Sequence, residues 1–188
     1  NTLRDVFPGV TGYASSLPAS TVSAYGFDNA ASATVGGQLG AALLDLAISV
    51  GGAVSAALPS LLPCASSAAD RACAATYLSQ YGRRLFRRPL TETEQNDYLG
   101  YFDAVAADSD FATGIKWMTA GLVQSPSAVY RSEIGTAGGN GERTLTAHEI
   151  ATELAYTYTA TAPDAALLAA ADGGSLGDLA AAARNLLM

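Results

Sequence analysis

"GRRLFRRPLTETEQ", residues 82–95, sets Arg83, Arg84, Arg87 and Arg88 just before Pro89 and a Thr-x-x-Glu pair just after it. Proline lacks a backbone N–H and clashes with the preceding turn, so a helix arriving from the N-terminal side stops here. Thr91 and Glu94 have the spacing of a capping box, in which each side chain takes the other residue's backbone N–H, so a second helix starts here. The stretch therefore reads helix, break, helix.

The same grammar recurs outward from it. Ala74, Leu78, Tyr81 and Leu85 line one face of the incoming helix, with Ser67 and Asp70 as a capping pair at its start. Tyr98, Phe102 and Val105 supply the next stripe, and Phe111, Ile115, Met118 and Leu122 another, ending at Ser125-Pro126. Thr146 with Glu149 opens a helix through Ile150, Leu154 and Tyr158. Pro163-Asp164 starts one that Gly173-Gly174 stops, and Ser175 with Asp178 leads to Leu186 and Leu187. Upstream, Leu39, Leu43, Leu46, Val50, Val54 and Leu58 make one long stripe before Pro59 and Pro63. The first 36 or so residues, rich in Pro, Gly and Ser, read as an irregular lead-in. No convincing strand alternation occurs, so the fold class is all-α: an irregular N-terminal lead-in followed by a bundle of about six amphipathic helices. The expected divisions are an N-terminal segment with one long helix (1–63), an Arg-rich helical module (64–134), a Gly-rich linker (135–142) and the start of a further helical module (143–188).

On a helical wheel Arg83 and Arg87 lie opposite the apolar stripe and are expected to be solvated. Arg84 and Arg88 flank it and are expected to reach carboxylates such as Glu94, Asp28 or Glu133. All four also meet the partial negative charge at their helix's C-terminus, worth roughly 0.3–1 kcal/mol each. An anionic ligand or acidic partner is the competing use.

The bulk numbers narrow the function. A formal net charge of -7 at pH 7 disfavours the phosphate-neutralising surface that nucleic-acid binding needs, so no nucleic-acid partner is expected. Cys64 and Cys73 match no zinc, haem or Cys-x-x-Cys pattern; a disulfide is the simplest reading, implying a periplasmic or extracellular setting. Two buried free thiols in a cytosolic protein are the alternative. No leader of the secretory type is visible at the start, so one was removed or the chain begins downstream. Residues 39–58 have the length of a membrane span but carry Asp45, glycines and many alanines, and read as a core helix, so no transmembrane span is expected.

No catalytic constellation is visible. His148 is the one histidine, and Thr152 stands where a zinc-protease helix needs its second. Glu149 and Glu153 share a helix face, as acidic residues near a helix start commonly do. Ser125 and Ser127 have no base, and "DSD" at 108–110 lacks the rest of a calcium loop. Tyr156, Tyr158 and Trp117 at helical spacing read as core before they read as a ligand groove. The segment itself is expected to hold no metal or cofactor.

"NTLRD" (1–5), "YGFDN" (25–29), "GRRLFRRPLTETE" (82–94), "GLVQSPSAVYRSE" (121–133) and "LTAHEIATELAYTYTATAPDAALL" (145–168) together resemble consecutive modules of the large secreted cytochrome-associated proteins of unknown function of planctomycetes and myxobacteria. The resemblance spans nearly the whole chain and carries no catalytic residues with it. It implies that the chain is one piece of a longer protein, with the remaining domains of that protein and a c-type cytochrome as partners, and any haem on missing domains or on a partner. The c-type haem motif of some members is absent, and Ala128-Val129-Tyr130 and Tyr156-Thr157-Tyr158-Thr159 replace bulkier aromatic blocks.

Three functions stand against one another. The first is a helical scaffold or interaction segment in which Arg84, Arg88, Arg131 and Glu133 knit helices together. The second is part of an extracytoplasmic oxidoreductase or electron-transfer protein working with a c-type cytochrome. The third is carbohydrate or polymer binding through exposed tyrosine and tryptophan.

Overall fold

The architecture was read from a computed structural model, which describes residues 2–13, 17, 36–66, 69–174 and 176–186. Asp28, Ser67, Ser175, Leu187 and most of the lead-in lie outside the described residues. The chain is all-α. In order come α1 (Thr2–Val6), α2 (Gly37–Ala56), α3 (Leu58–Leu61), α4 (Arg71–Tyr77), α5 (Arg83–Phe86), α6 (Glu92–Asp108), α7 (Phe111–Gln124), α8 (Pro126–Val129), α9 (Ala147–Thr159), α10 (Ala165–Asp172) and α11 (Leu179–Leu186). A two-residue hairpin, β1 (Thr136–Ala137) antiparallel to β2 (Arg143–Thr144), is the sheet among them.

The Gly-rich stretch expected as a plain linker thus forms this hairpin, and α1 gives the expected irregular lead-in a helix at its start. Both differences come from short-range hydrogen bonding that apolar periodicity does not record. Elsewhere the caps set the helix ends. Asp70 accepts from Cys73 N at the start of α4, and Thr91 and Thr146 each complete a capping box with Glu94 and Glu149.

The main core unites α1 to α7. Val50 and Val54 of α2, Tyr77 of α4, and Ile115, Met118 and Leu122 of α7 are completely buried in it. The helices α2 and α7 pack along each other at a glycine. A Cβ on Gly51 would lie 2.3 Å from Lys116 O, so the backbones touch directly there. Of the described helices, α2 is long and apolar enough to cross a membrane by length and composition. Here one face of it is spent on α7.

Between α4 and α5 the helix does not break but widens into a π turn over Leu78–Gly82, giving one continuous rod from 71 to 86. Tyr77 precedes that turn and Tyr81 lies within it, with ring centroids 4.9 Å apart, and Phe7 stacks on Tyr81 at 5.4 Å. Each buried phenol has a partner: the Tyr77 hydroxyl lies 2.6 Å from Thr119 Oγ1, and Tyr81 donates to Leu61 O at 2.9 Å. Burial pushes the Tyr77 phenol well above its ordinary range.

Cys64 and Cys73 form a disulfide with a Cα–Cα distance of 5.8 Å, tying the turn after α3 to α4. Closing so short a loop contributes about 2.5–3 kcal/mol in the chain-entropy account. A second, smaller core joins α9, α10 and α11 through Ala151, Ala155, Leu167, Ala171 and Leu176. Built largely from alanine, it buries little area per residue, and contacts to the main body matter correspondingly more.

Candidate interaction site at the module junction

The end of the rod 71–86 is where the main core, α1, α8 and the second core meet, and the four arginines stand there. Phe86 is the last helical residue, and Arg87 takes the left-handed conformation (φ 58°) usually left to glycine or asparagine at a helix end. That turn carries the Arg87 side chain inward. It is 4% exposed, and its Nη1 donates to Leu85 O (2.9 Å) and Ala128 O (3.2 Å) while Nη2 donates to Ser127 O (2.6 Å) and Tyr130 O (2.7 Å). The expectation that Arg87 is solvated is therefore overturned. The left-handed residue leaves the helical wheel on which that expectation rested.

Leu85 O belongs to its own helix, and the other three carbonyls it meets have a common origin. The helix α8 is four residues long, so its C-terminal carbonyls have no intrahelical N–H. Arg87 supplies that missing charge and those donors. Arg84 does the same for α1, with Nη1 donating to Val6 O at 3.0 Å and Nη2 to Asp5 O. Arg84 thus reaches carbonyls where carboxylates were expected. One turn of one helix caps the C-termini of two others.

Arg88 makes a bidentate pair with Glu94, Nη1 to Oε2 at 2.8 Å and Nη2 to Oε1 at 2.7 Å. Its guanidinium also stands 5.5 Å from the Phe86 ring centroid. The hydrogen bond from Arg88, helped by those of Thr91, draws the Glu94 carboxyl down to about 2. Arg83, also expected in solvent, pairs with Asp172 at the end of α10. Asp172 Oδ1 is 2.9 Å from His148 Nε2 as well, so this carboxylate joins the rod to both α9 and α10. The His148 hydrogen bond, with the Arg83 charge beside it, holds the Asp172 carboxyl below its ordinary range.

Tyr156 of α9 completes the junction. Its hydroxyl is 2.9 Å from Thr2 Oγ1, the Arg131 guanidinium lies 4.9 Å from its ring centroid, and Thr161 donates to Asp5. Burial lowers the Arg87 guanidinium, with Tyr156 nearby opposing that effect and Arg131 adding to it. Glu133 faces Glu153 of α9, on the same side as Arg131. Of the residues singled out from sequence, Arg88 and Glu94 meet each other, Arg84 meets α1, and Arg131 and Glu133 meet α9. Arg87, Arg83, Asp172 and Tyr156 are junction residues that helical periodicity misses. The one usable signal for Arg87 was its place directly after the last apolar residue and two before a proline.

The remaining surface offers little chemistry. Among the described residues no group of three or more His, Cys, Asp or Glu could hold a metal ion. An open groove of about 300 Å³ lies between α2 and α8, lined by Gly40, Leu43, Gln124, Pro126, Val129 and Tyr130. Trp117 packs against the main core with Lys116 Nζ 5.3 Å from its ring, whereas Tyr158 is exposed on α9.

Residues 73–133 match the family described as Protein of unknown function (DUF1595), and residues 145–188 match Protein of unknown function (DUF1592). The chain holds two domains of unknown function. Comparison with curated proteins and with solved structures found no match. The junction described above lies between these two matched stretches: Arg83, Arg84, Arg87, Arg88 and Arg131 belong to the first, His148, Tyr156 and Asp172 to the second.

Proposed function

We propose that this chain is a helical scaffold segment of a secreted multidomain protein, in which the arginine-rich turn holds neighbouring modules in fixed register. The observation that carries this reading is that every guanidinium of the cluster is engaged inside the protein. Arg83 goes to α10, Arg84 to α1, Arg87 to α8 and Arg88 to the start of α6. An anion-docking site would need some of those donors turned outward, and arginine suits the bracing role because its planar fork serves several acceptors at once. The disulfide supports an oxidising compartment, periplasmic or extracellular. The neighbours so braced include the remaining domains of the same protein.

Thermal unfolding of Arg83→Ala and Arg84→Ala, alone and together, tests it. Each is expected to lower the midpoint, the double variant by more than either. Unchanged midpoints accompanied by loss of binding to an anionic ligand or partner would refute it.

A further inference from the structure

From Tyr130 to Thr144 every residue except Gly135 is exposed, and no residue of this stretch belongs to either core. It joins the two matched domains, and its middle, "TAGGNG" at 136–141, is made of small and polar residues. Its regular structure is two strand pairs, Thr136 with Thr144 and Ala137 with Arg143, closed by Gly138 N donating to Glu142 O at 2.8 Å. Those bonds lie within the hairpin itself. A protease must draw several consecutive residues into its cleft as an extended strand, and opening this hairpin uncovers no core side chain and disturbs no helix.

The contacts that tie the two domains together are placed elsewhere. Arg83 of the rod pairs with Asp172, Thr2 Oγ1 lies 2.9 Å from the Tyr156 hydroxyl, Thr161 donates to Asp5, and the amides of Ile134 and Gly135 donate to Glu149 Oε1 at 2.7 and 2.9 Å. Each of them connects residues 1–143 to residues 144–188 through space, so none depends on the bond between Arg143 and Thr144. We propose that the hairpin is a limited-proteolysis site, cut at the Arg143–Thr144 bond by an arginine-directed endoprotease, and that its product is two chains that stay joined through these contacts.

The cut is a simple hydrolysis: the amide C–N bond breaks, the hydroxyl of water goes to the Arg143 carbonyl carbon, its proton goes to the Thr144 nitrogen, and nothing is oxidised or reduced. Arg143 offers the side chain that such a protease reads. It is exposed, and the carbonyls it holds, Ile134 O and Gly135 O, belong to the same stretch. The competing cations are worse placed. Arg71, Arg83, Arg84 and Lys116 sit in helices, Arg87 is buried, Arg88 precedes Pro89, and the Arg131 guanidinium lies on the Tyr156 ring. The inference rests on the scaffold reading for what holds the pieces, but not for where the chain is cut.

Brief trypsin digestion of the whole chain, followed by mass measurement, tests the site. Residues 5–70 hold neither lysine nor arginine, so no cut can fall in the lead-in. Between residues 71 and 143 the first cut is expected after Arg143, giving 1–143 and 144–188. A first cut at any cation from Arg71 to Arg131 would overturn the proposal whatever the junction does, as would a bond after Arg143 that survives as long as the helices. The digest then goes undiluted onto a size-exclusion column, because the cut removes the tether that kept the partners at high effective concentration. The two pieces are expected to elute together. Separate elution, while the Arg83→Ala and Arg84→Ala variants still melt early, overturns the two-chain product and leaves the scaffold reading standing. Pieces that elute together while those variants melt like wild type remove the scaffold reading and leave this result standing.

Discussion

Replacing Arg87 separates two effects that act on the same residue in opposite directions. The guanidinium gives four hydrogen bonds to backbone carbonyls, two of them at 2.6 and 2.7 Å. A hydrogen bond to a charged group contributes about 1.5–3 kcal/mol, but the four share one buried charge whose desolvation offsets much of their sum. Arg87→Ala removes that charge with its bonds and leaves the α8 carbonyls unpaired, which sets the expected loss at about 3 kcal/mol. It keeps a Cβ at φ 58°, where the left-handed region costs a side chain about 1–2 kcal/mol. Arg87→Gly loses the same bonds but relieves that strain. Glycine is therefore expected to be less destabilising than alanine by about 1 kcal/mol, the reverse of the usual order inside a helix. Arg87→Lys keeps the charge but cannot present two parallel pairs of donors, and is expected between wild type and Arg87→Ala. Urea unfolding monitored by the single tryptophan, Trp117, in the main core measures all three. In thermal unfolding of a chain of this size the same 3 kcal/mol corresponds to a midpoint shift of about 6–12 °C. An Arg87→Ala variant within 0.5 kcal/mol of wild type would refute the clamp, and glycine worse than alanine would refute the strain argument.

Two further outcomes follow from the packing and from the pairs. Gly51→Ala drives a Cβ against the α7 backbone and is expected to cost about 3 kcal/mol, while Gly52→Ala, with nothing within 4 Å, is expected to be neutral or stabilising by up to about 1 kcal/mol; parallel chemical unfolding of the two compares them. The Glu94 carboxyl, held at about 2 chiefly by Arg88, contributes stability that is full above the ordinary glutamate range and is lost as pH falls through about 2. Because the pair is partly open to water, wild type is expected to lose only about 0.5–1 kcal/mol more than Glu94→Gln between pH 4.5 and 2 in acid unfolding curves, and equal losses would contradict the pairing.

How much of this was legible in the sequence divides along the range of the forces involved. Apolar periodicity located α6, α7 and α9, and the Thr91–Glu94 and Thr146–Glu149 pairs marked two of their starts to the residue, because a capping box is a contact across three residues. The nine-residue spacing of Cys64 and Cys73 was compatible with the disulfide they form. What escaped was everything decided by a chain reversal or by a partner far along the chain. The arginine wheel assumed that residues 83 to 88 are one helix, but the helix ends at Phe86, and the change of hand at Arg87 turns an outward position into a buried one. Asp172 is 89 residues from Arg83, and no local pattern joins them.

The arginine stretch at residues 82–95 bears on how the surrounding helices are held together. A short helix is marginal by itself because its terminal carbonyls stay unpaired, and α1 and α8 are only five and four residues long. Each becomes affordable only beside a donor that reaches several carbonyls from outside the helix. The end of the rod 71–86 supplies two such donors three residues apart, Arg84 in its last turn and Arg87 just past it, so α1 and α8 are fixed relative to each other as well as individually. From the second core Asp172 then meets that turn at Arg83 and Tyr156 meets α1 at Thr2, and the alanine-rich interior of this core gives it little means of holding its own orientation. On the scaffold reading, the relative placement of α1, α8 and the second core depends on one helix end and is expected to loosen when the backbone at Arg87 can no longer turn left.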